Sequence, residues 1–341
     1  LIDGASTLNQ DDGDRNFSRG LISNRFDLLS EFDLSYRNMG LRLSGAAWYD
    51  DVYNHSNDND APDRANQQST SYDHFTSDTR DLHGRKAELL DAFVFANGNL
   101  DGHAVSGRLG QYAMQWGETL FFGDNGIAGG MAPVDAVKAL SVPNTQFKEL
   151  IRPVKQVSGQ FDLTPGVSLG AYYQFEWEAT RLPASGSYFS ALDPLGEGGE
   201  RILIPGAGGA ALFQGKTKNA SDSGQGGLQL RWATETVDYG LYAIRYHAKT
   251  PQLLVSPGAN IAPSILKFGE YHWVYPEAIK ALGASFSTTV SEFNLAGEIS
   301  TRWDQPLAST NARALVPGEA INNDRDPLSA TGRTLHANFS W

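Results

Sequence analysis

The sequence contains no cysteine, and at 341 residues it is not a small disulfide-stapled domain. The absence of thiols is compatible with an oxidising compartment such as the periplasm or the cell surface. No apolar run reaches the roughly 18 residues that a membrane-spanning helix needs, so a helical membrane protein is excluded while a strand-built one is not. There is no basic excess either. The formal net charge of −12 argues against nucleic acid as a partner, because such binding needs a basic footprint. The opening Leu1-Ile2-Asp3-Gly4 lacks the basic and apolar regions of a secretory leader, as a mature or truncated chain also would.

What the sequence does contain is alternation. In residues 167–178 the odd positions are Val167, Leu169, Ala171, Tyr173, Phe175 and Trp177, and the even ones Ser168, Gly170, Tyr172, Gln174, Glu176 and Glu178. An extended strand sends these two sets to opposite faces, one apolar and one polar. So long a stretch, ending in two carboxylates on its wet face, fits a strand tilted across a bilayer with lipid outside and water inside.

The same pattern recurs along the chain. Phe26, Leu28, Phe32, Leu34 and Tyr36 oppose Arg25, Asp27, Glu31 and Asp33, and after an Asn-Met-Gly turn signal Leu41, Leu43, Ala47 and Tyr49 oppose Arg42, Ser44, Trp48 and Asp50. Residues 88–97 and 103–116 read as the next pair, blurred by Leu89, Phe93 and Phe95 on the face that carries Asp91. A blurred face implies contact with something inside. Residues 157–163, 228–234, 239–248, 280–288, 293–303 and 335–341 complete the set, with Leu230, Trp232, Tyr242, Ile244 and Tyr246 expected outward and Arg231, Arg245 and His247 inward.

Between these strands, long hydrophilic connections alternate with short turns, the asymmetry of outer-membrane barrels. The expected fold is therefore all-β, a single transmembrane antiparallel β-barrel. Counting gives about eleven strands, an odd number for such a barrel, so at least one strand is expected beyond this sequence. Residues 117–155 are too apolar for a free loop. They hold Phe121, Phe122, Asp135, Lys138 and a short helix near residues 133–140, and are expected to fold inward as a plug or constriction.

Several segments together resemble one Gram-negative family, the outer-membrane proteins grouped as domain of unknown function (DUF) 1302: Tyr173-Gln174-Phe175-Glu176-Trp177-Glu178-Ala179-Thr180-Arg181, Gly186-Ser187-Tyr188-Phe189-Ser190, Trp116-Gly117-Glu118 with Pro133-Val134-Asp135, Lys249-Thr250-Pro251, and Tyr275-Pro276-Glu277. Where the family carries a basic residue after the glycine ahead of the W-G-E motif, Gln111 follows Gly110 here, with Arg108 as the nearby substitute. The resemblance implies an outer-membrane barrel associated with catabolism of hydrophobic compounds such as steroids, aromatics and esters, often beside a periplasmic lipoprotein-like partner. It implies no enzymatic chemistry.

The expected lumen set is Asp27, Glu31, Asp33, Arg42, Asp50, Arg108, Asp162, Glu176, Glu178, Arg231, Arg245, His247, Glu298 and Arg302. Opposed charges of this kind either fix a selective constriction or merely pair to fill the interior. No catalytic residue is assigned. A hydrolase would need a serine and an orienting acid beside His247 or His336, and no serine sits in an elbow motif. No cofactor or metal is expected: the acids at residues 11–14 and 54–63 lack the spacing of a calcium loop and read as solvated. The leading expectation is a passive outer-membrane channel or receptor for a hydrophobic or amphipathic small molecule, with membrane lipid and lipopolysaccharide as surroundings. The alternatives are a barrel that anchors a periplasmic partner and transports nothing, and a surface hydrolase.

Overall fold

Alternation at a period of two becomes sixteen strands in the computed structural model, which describes residues 6–119, 123–143, 145, 147–307, 313–316, 319–324 and 329–341. They are β1 (Arg25–Tyr36), β2 (Met39–Asp50), β3 (Arg85–Leu100), β4 (His103–Tyr112), β5 (Val154–Thr164), β6 (Val167–Gln174), β7 (Arg201–Leu203), β8 (Ala211–Gln214), β9 (Gln225–Ala233), β10 (Val237–Tyr246), β11 (Gln252–Ala262), β12 (Lys267–Val274), β13 (Ile279–Val290), β14 (Phe293–Pro306), β15 (Arg313–Ala314) and β16 (Thr331–Ser340). Eleven form one sheet in the order β1-β2-β3-β4-β5-β6-β9-β10-β13-β14-β16, an antiparallel meander in which each strand pairs with the next. These are the eleven segments that the alternation picks out.

Tight turns join the strands at one end of this sheet. Between Leu100 and His103 the two turn residues Asp101 and Gly102 have φ of +50° and +92°, the doubly left-handed geometry for which Asp-Gly is suited. Because the strands alternate in direction, every long connection lies at the other end. There the expectation of free hydrophilic loops is corrected. The connections fold on one another into a cap, with a second, five-stranded sheet in the order β15-β11-β12-β8-β7 and buried Leu254, Tyr271, Trp273 and Leu203. Aromatic rings of Phe17, Tyr53, Phe75 and Tyr188 pack together beside it, with the His83 ring stacked on Tyr53 at 4.9 Å.

Two acids of the first segment, Asp11 and Asp12, belong to this cap, while Asp14 stays exposed. Asp11 and Asp12 are buried and share a site with buried Asp193. Burial, with the neighbouring carboxylates, pushes the Asp12 and Asp193 carboxyls well above the usual range.

One irregularity resets a face. Leu43 and Gly45 of β2 pair with Ala92 and Leu89 of β3, so one extra residue bulges from β3 between them. Leu89 is therefore turned to the opposite side from Asp91 and is 56% exposed, correcting the shared face expected for the two residues.

Candidate functional site

Register relates all eleven strands to two continuous faces. Arg108 pairs with Ser158, Ser158 with Tyr172, Tyr172 with Gly227, Gly227 with Ile244, Ile244 with Ala281, and Ala281 with Arg302, so these residues lie on one side. That side is covered over β6 to β16 by residues 114–119 and 123–131. The opposite, bare side exposes Phe26, Phe32, Val94, Leu109, Leu169, Tyr173, Leu228, Leu241, Leu282, Ile299 and Leu335.

Four strand side chains hold the covering segment. The Glu298 carboxylate accepts the backbone N–H of Ile127 at 2.6 Å and of Glu118 at 2.9 Å, and the Thr119 hydroxyl at 3.3 Å. Four residues further along β14, Arg302 donates to the carbonyls of Asp124 and of Gly126, the latter at 2.8 Å. From the last strand, His336 Nδ1 lies 2.8 Å from Asn125 Oδ1 and Asn338 Nδ2 donates to the Asn125 carbonyl at 3.1 Å. Beneath the segment, Ile127 and Met131 pack against Tyr172, Tyr242, Ile244, Tyr246, Ile279 and Ala281, with the Trp116 ring edge-on to Tyr172 at 4.9 Å. Gly130 is required here, because a Cβ would come within 2.8 Å of both Ile244 and Tyr246.

This packing corrects the expected phase of β10. Tyr242, Ile244 and Tyr246 are buried on the covered face, and Leu241, Ala243 and Arg245 are exposed on the bare one. The sequence reading assigned charge to the inside, but here the inside is filled by apolar protein. Arg231 does share the covered face, with Gln229 and Tyr242.

Strands β1 to β5 present a different surface, open and charged. Arg42 reaches three carboxylates, forming an ion pair with Glu31 and lying 3.5 Å from both Asp33 and Asp91. Asp27 pairs with Arg25, whose guanidinium lies 4.7 Å over the Trp48 ring. Arg108 lies 5.8 Å over Phe93, and Asp162 is on the same face.

The remaining expected lumen residues are elsewhere. β6 ends at Gln174, so Glu176 and Glu178 fall beyond it, where they pair with Lys155 at 2.6 Å and Arg152 at 3.3 Å. Asp50 is buried under the cap and accepts the backbone N–H of Asn24 at 3.0 Å. His247 follows the end of β10, accepts the Ala278 N–H at Nδ1 and has Nε2 2.9 Å from the Ser223 carbonyl, a hydrogen-bonded filler. Tyr53, Trp177 and Tyr246 are buried in the protein. Phe121 and Phe122 lie outside the described residues.

Asp135 and Lys138 serve the helix Ala136–Ser141, which starts three residues later than the sequence implies. Asp135 Oδ1 caps it by accepting the Lys138 N–H at 2.9 Å, and Lys138 reaches Glu149 at 3.5 Å. The other Asp135 oxygen takes Arg181 Nη1 at 2.7 Å, and Arg181 also pairs with Glu88 of β3. Burial works to lower the Arg181 pKa, but the Glu88 and Asp135 carboxylates outweigh it and hold it above the ordinary value. Sequence reasoning missed this junction, although Arg181 ends the longest motif quoted above. Lys249 of the K-T-P motif was missed too. It is buried with Nζ 2.7 Å from Gln225 Oε1, and burial lowers its pKa to about 7.

At the cap end, Arg181 borders a cavity of about 370 Å³ that mixes Lys86, Arg152 and Glu178 with Leu195, Trp273 and Tyr275. A lining that combines charged side chains with aromatic rings can take a molecule that is part polar and part apolar.

No curated protein matches the chain. Among solved structures, the one titled "Copper transporter OprC" is similar over 92% of this chain and 47% of that one, at 14% identity and a TM-score of 0.20, too low to carry an argument. The family comparison carries one: residues 2–341 match the model described as "Protein of unknown function (DUF1302)", and the chain belongs to that family.

Proposed function

We propose that the large sheet is the wall of an outer-membrane β-barrel and that the protein is a passive channel or receptor for a hydrophobic or amphipathic small molecule. The observation that carries this reading is the contrast between the two faces. Large apolar side chains stand exposed at alternate positions on the bare face, while charges and a clamped segment occupy the other. Burying one such side chain is worth about 1.5–3 kcal/mol, so hydrocarbon is the solvent that suits the bare face. Water and solute then pass on the covered face, between the charged half around Arg42 and the segment held by Glu298.

The substrate class is drawn from the walls. The cap cavity joins Trp273 and Tyr275 to Lys86 and Arg152 and to Asp78, Glu178 and Glu197. An aromatic or steroid-like compound with a polar group fits such a lining. Passage down a gradient needs no catalytic group and no cofactor. His247 is hydrogen-bonded to Ser223 and Ala278, which speaks against it as the base of the hydrolase alternative.

Proteoliposome swelling tests the proposal, with the wild type compared with a Glu298→Ala, Arg302→Ala double variant. The channel reading expects solute entry that increases when the clamp is removed. Vesicles that stay solute-tight with both proteins would favour the anchoring role instead.

A further inference from the structure

Three carboxylates meet inside the cap from places far apart in the chain. Asp11 and Asp12 lie at the start of the helix Asp12–Arg15, and Asp193 lies between β6 and β7; one carboxylate oxygen of each is within 4.8 Å of the other two. All three are buried, with at most 1% exposure. Their hydrogen bonds use only part of the oxygen available. Arg15 at 2.8 Å and Arg64 at 2.7 Å both end on Asp11 Oδ2, and the Asn66 N–H ends on Asp12 Oδ2 at 2.9 Å. The backbone N–H groups of Asp11 and Asp12 take the two oxygens of Asp193, at 3.0 and 3.3 Å. Among the described residues no donor reaches Oδ1 of Asp11 or Oδ1 of Asp12.

A further oxygen comes from outside the acid cluster. Asn66 is 0% exposed, and its Nδ2 is committed to Asn9 Oδ1 at 2.7 Å and the Arg201 carbonyl at 2.9 Å. Those two bonds fix the orientation of the amide and leave its Oδ1 without a donor, on the residue whose N–H already binds Asp12. The Arg201 guanidinium spends its hydrogen bonds on the carbonyls of Ala65, Asn66 and Gln67. A buried oxygen left unpaired costs about 1–3 kcal/mol, so Oδ1 of Asp11 and Oδ1 of Asp12 call for a partner that serves both, and Asn66, bonded to Asp12 through its N–H, brings a third unpaired oxygen on the neighbouring residue.

We propose that Asp11, Asp12, Asp193 and the Asn66 side-chain carbonyl form a calcium site that ties the cap together. The donors are all hard oxygens, with no imidazole or thiolate to select a softer metal. Calcium accepts about 6–8 oxygens in irregular geometry, which suits ligands gathered from separate loops, whereas magnesium demands a near-ideal octahedron. The ion would join the first segment to residues 187–193 across 182 positions of sequence and to the loop around residue 66.

The test uses the full chain in detergent after chelator treatment, titrated with calcium alone by calorimetry while thermal unfolding is followed. The expected result is one saturable equivalent, with a dissociation constant of about 1 mM or tighter and a melting temperature that rises with calcium. Asp193→Asn should weaken binding about tenfold or more, and Asp12→Asn, which keeps an acceptor for Asn66, should do the same. Magnesium at equal concentration should not substitute. Absence of one-to-one binding by the wild type, or equal affinity in both variants, would overturn the site. If neither variant folds, the wild-type stoichiometry decides, together with protease protection of residues 6–24 that calcium confers and chelator removes.

Discussion

Glu298 accepts the backbone N–H of Ile127 at 2.6 Å across 171 positions of sequence, so a strand carboxylate helps to fix the segment that covers about half of one face of the sheet. Hydrogen bonds to a charged group contribute about 1.5–3 kcal/mol each when buried, and Glu298 makes two to the main chain. Glu298→Ala should free the segment while leaving the strands in place. Far-UV circular dichroism should be unchanged, and single-channel conductance in planar bilayers should rise several-fold with added flicker. Unaltered conductance would show that the segment does not limit flow.

Gly130 makes the same point through packing. Any side chain there meets Ile244 and Tyr246 at 2.8 Å, and overpacking of this kind costs about 1–3 kcal/mol. Gly130→Leu should therefore lower the melting temperature and shift the segment, read as a change in Trp116 fluorescence. A silent substitution would mean that the segment is not seated on these rings.

Arg42 sits among Glu31, Asp33 and Asp91, so removing its charge leaves three unbalanced carboxylates on the open part of the covered face. Arg42→Ala should raise cation over anion selectivity a few-fold, measured as a reversal-potential shift in a salt gradient. The effect should shrink at high salt as screening sets in. Unchanged selectivity would assign these charges to pairing alone.

His83 gives the cap a pH dependence. Burial holds its folded-state pKa at about 3, below the ordinary 6.5, and Nε2 accepts the Ala184 N–H at 3.1 Å. The unfolded chain takes up a proton that the folded one refuses, so this contribution is full above pH 6.5 and is lost as the pH falls towards 3, at about 1 kcal/mol per pH unit. Comparing His83→Gln with wild type isolates it. The difference in stability should change with pH across that window and flatten above it.

Much of this architecture is legible in the sequence, and the reason is physical. Strand side chains alternate strictly, so one polar face and one apolar face announce a strand wherever its surroundings differ in polarity. Residues 25–50 and 293–303 illustrate it, since Phe26 and Phe32 lie on the face opposite Glu31 and Arg42, and Ile299 on the face opposite Glu298. The pattern misleads where the inside is itself apolar. Tyr242, Ile244 and Tyr246 are greasy because Ile127 and Met131 lie over them, and nothing local distinguishes that from facing lipid. It misleads again at the bulge, where one extra residue turns Leu89 away from Asp91. The cap is hidden for another reason: its order comes from contacts such as Asp11 with Asp193 and Arg181 with Glu88, made between segments too far apart for any window to see.

The central claim, that the bare face meets hydrocarbon, is open to one direct measurement. Because the chain has no cysteine, single cysteines at Leu241, Leu282 and Ile299, and at Tyr242 and Ser300 on the covered face, can carry spin labels without background reactivity. After reconstitution in bilayers, collision with oxygen against a water-soluble nickel complex reports each label's surroundings. The account predicts strong oxygen and weak nickel collision at Leu241, Leu282 and Ile299, with loss of that preference at Tyr242 and Ser300. Nickel access at Leu241, Leu282 and Ile299 equal to that of exposed cap residues would contradict it.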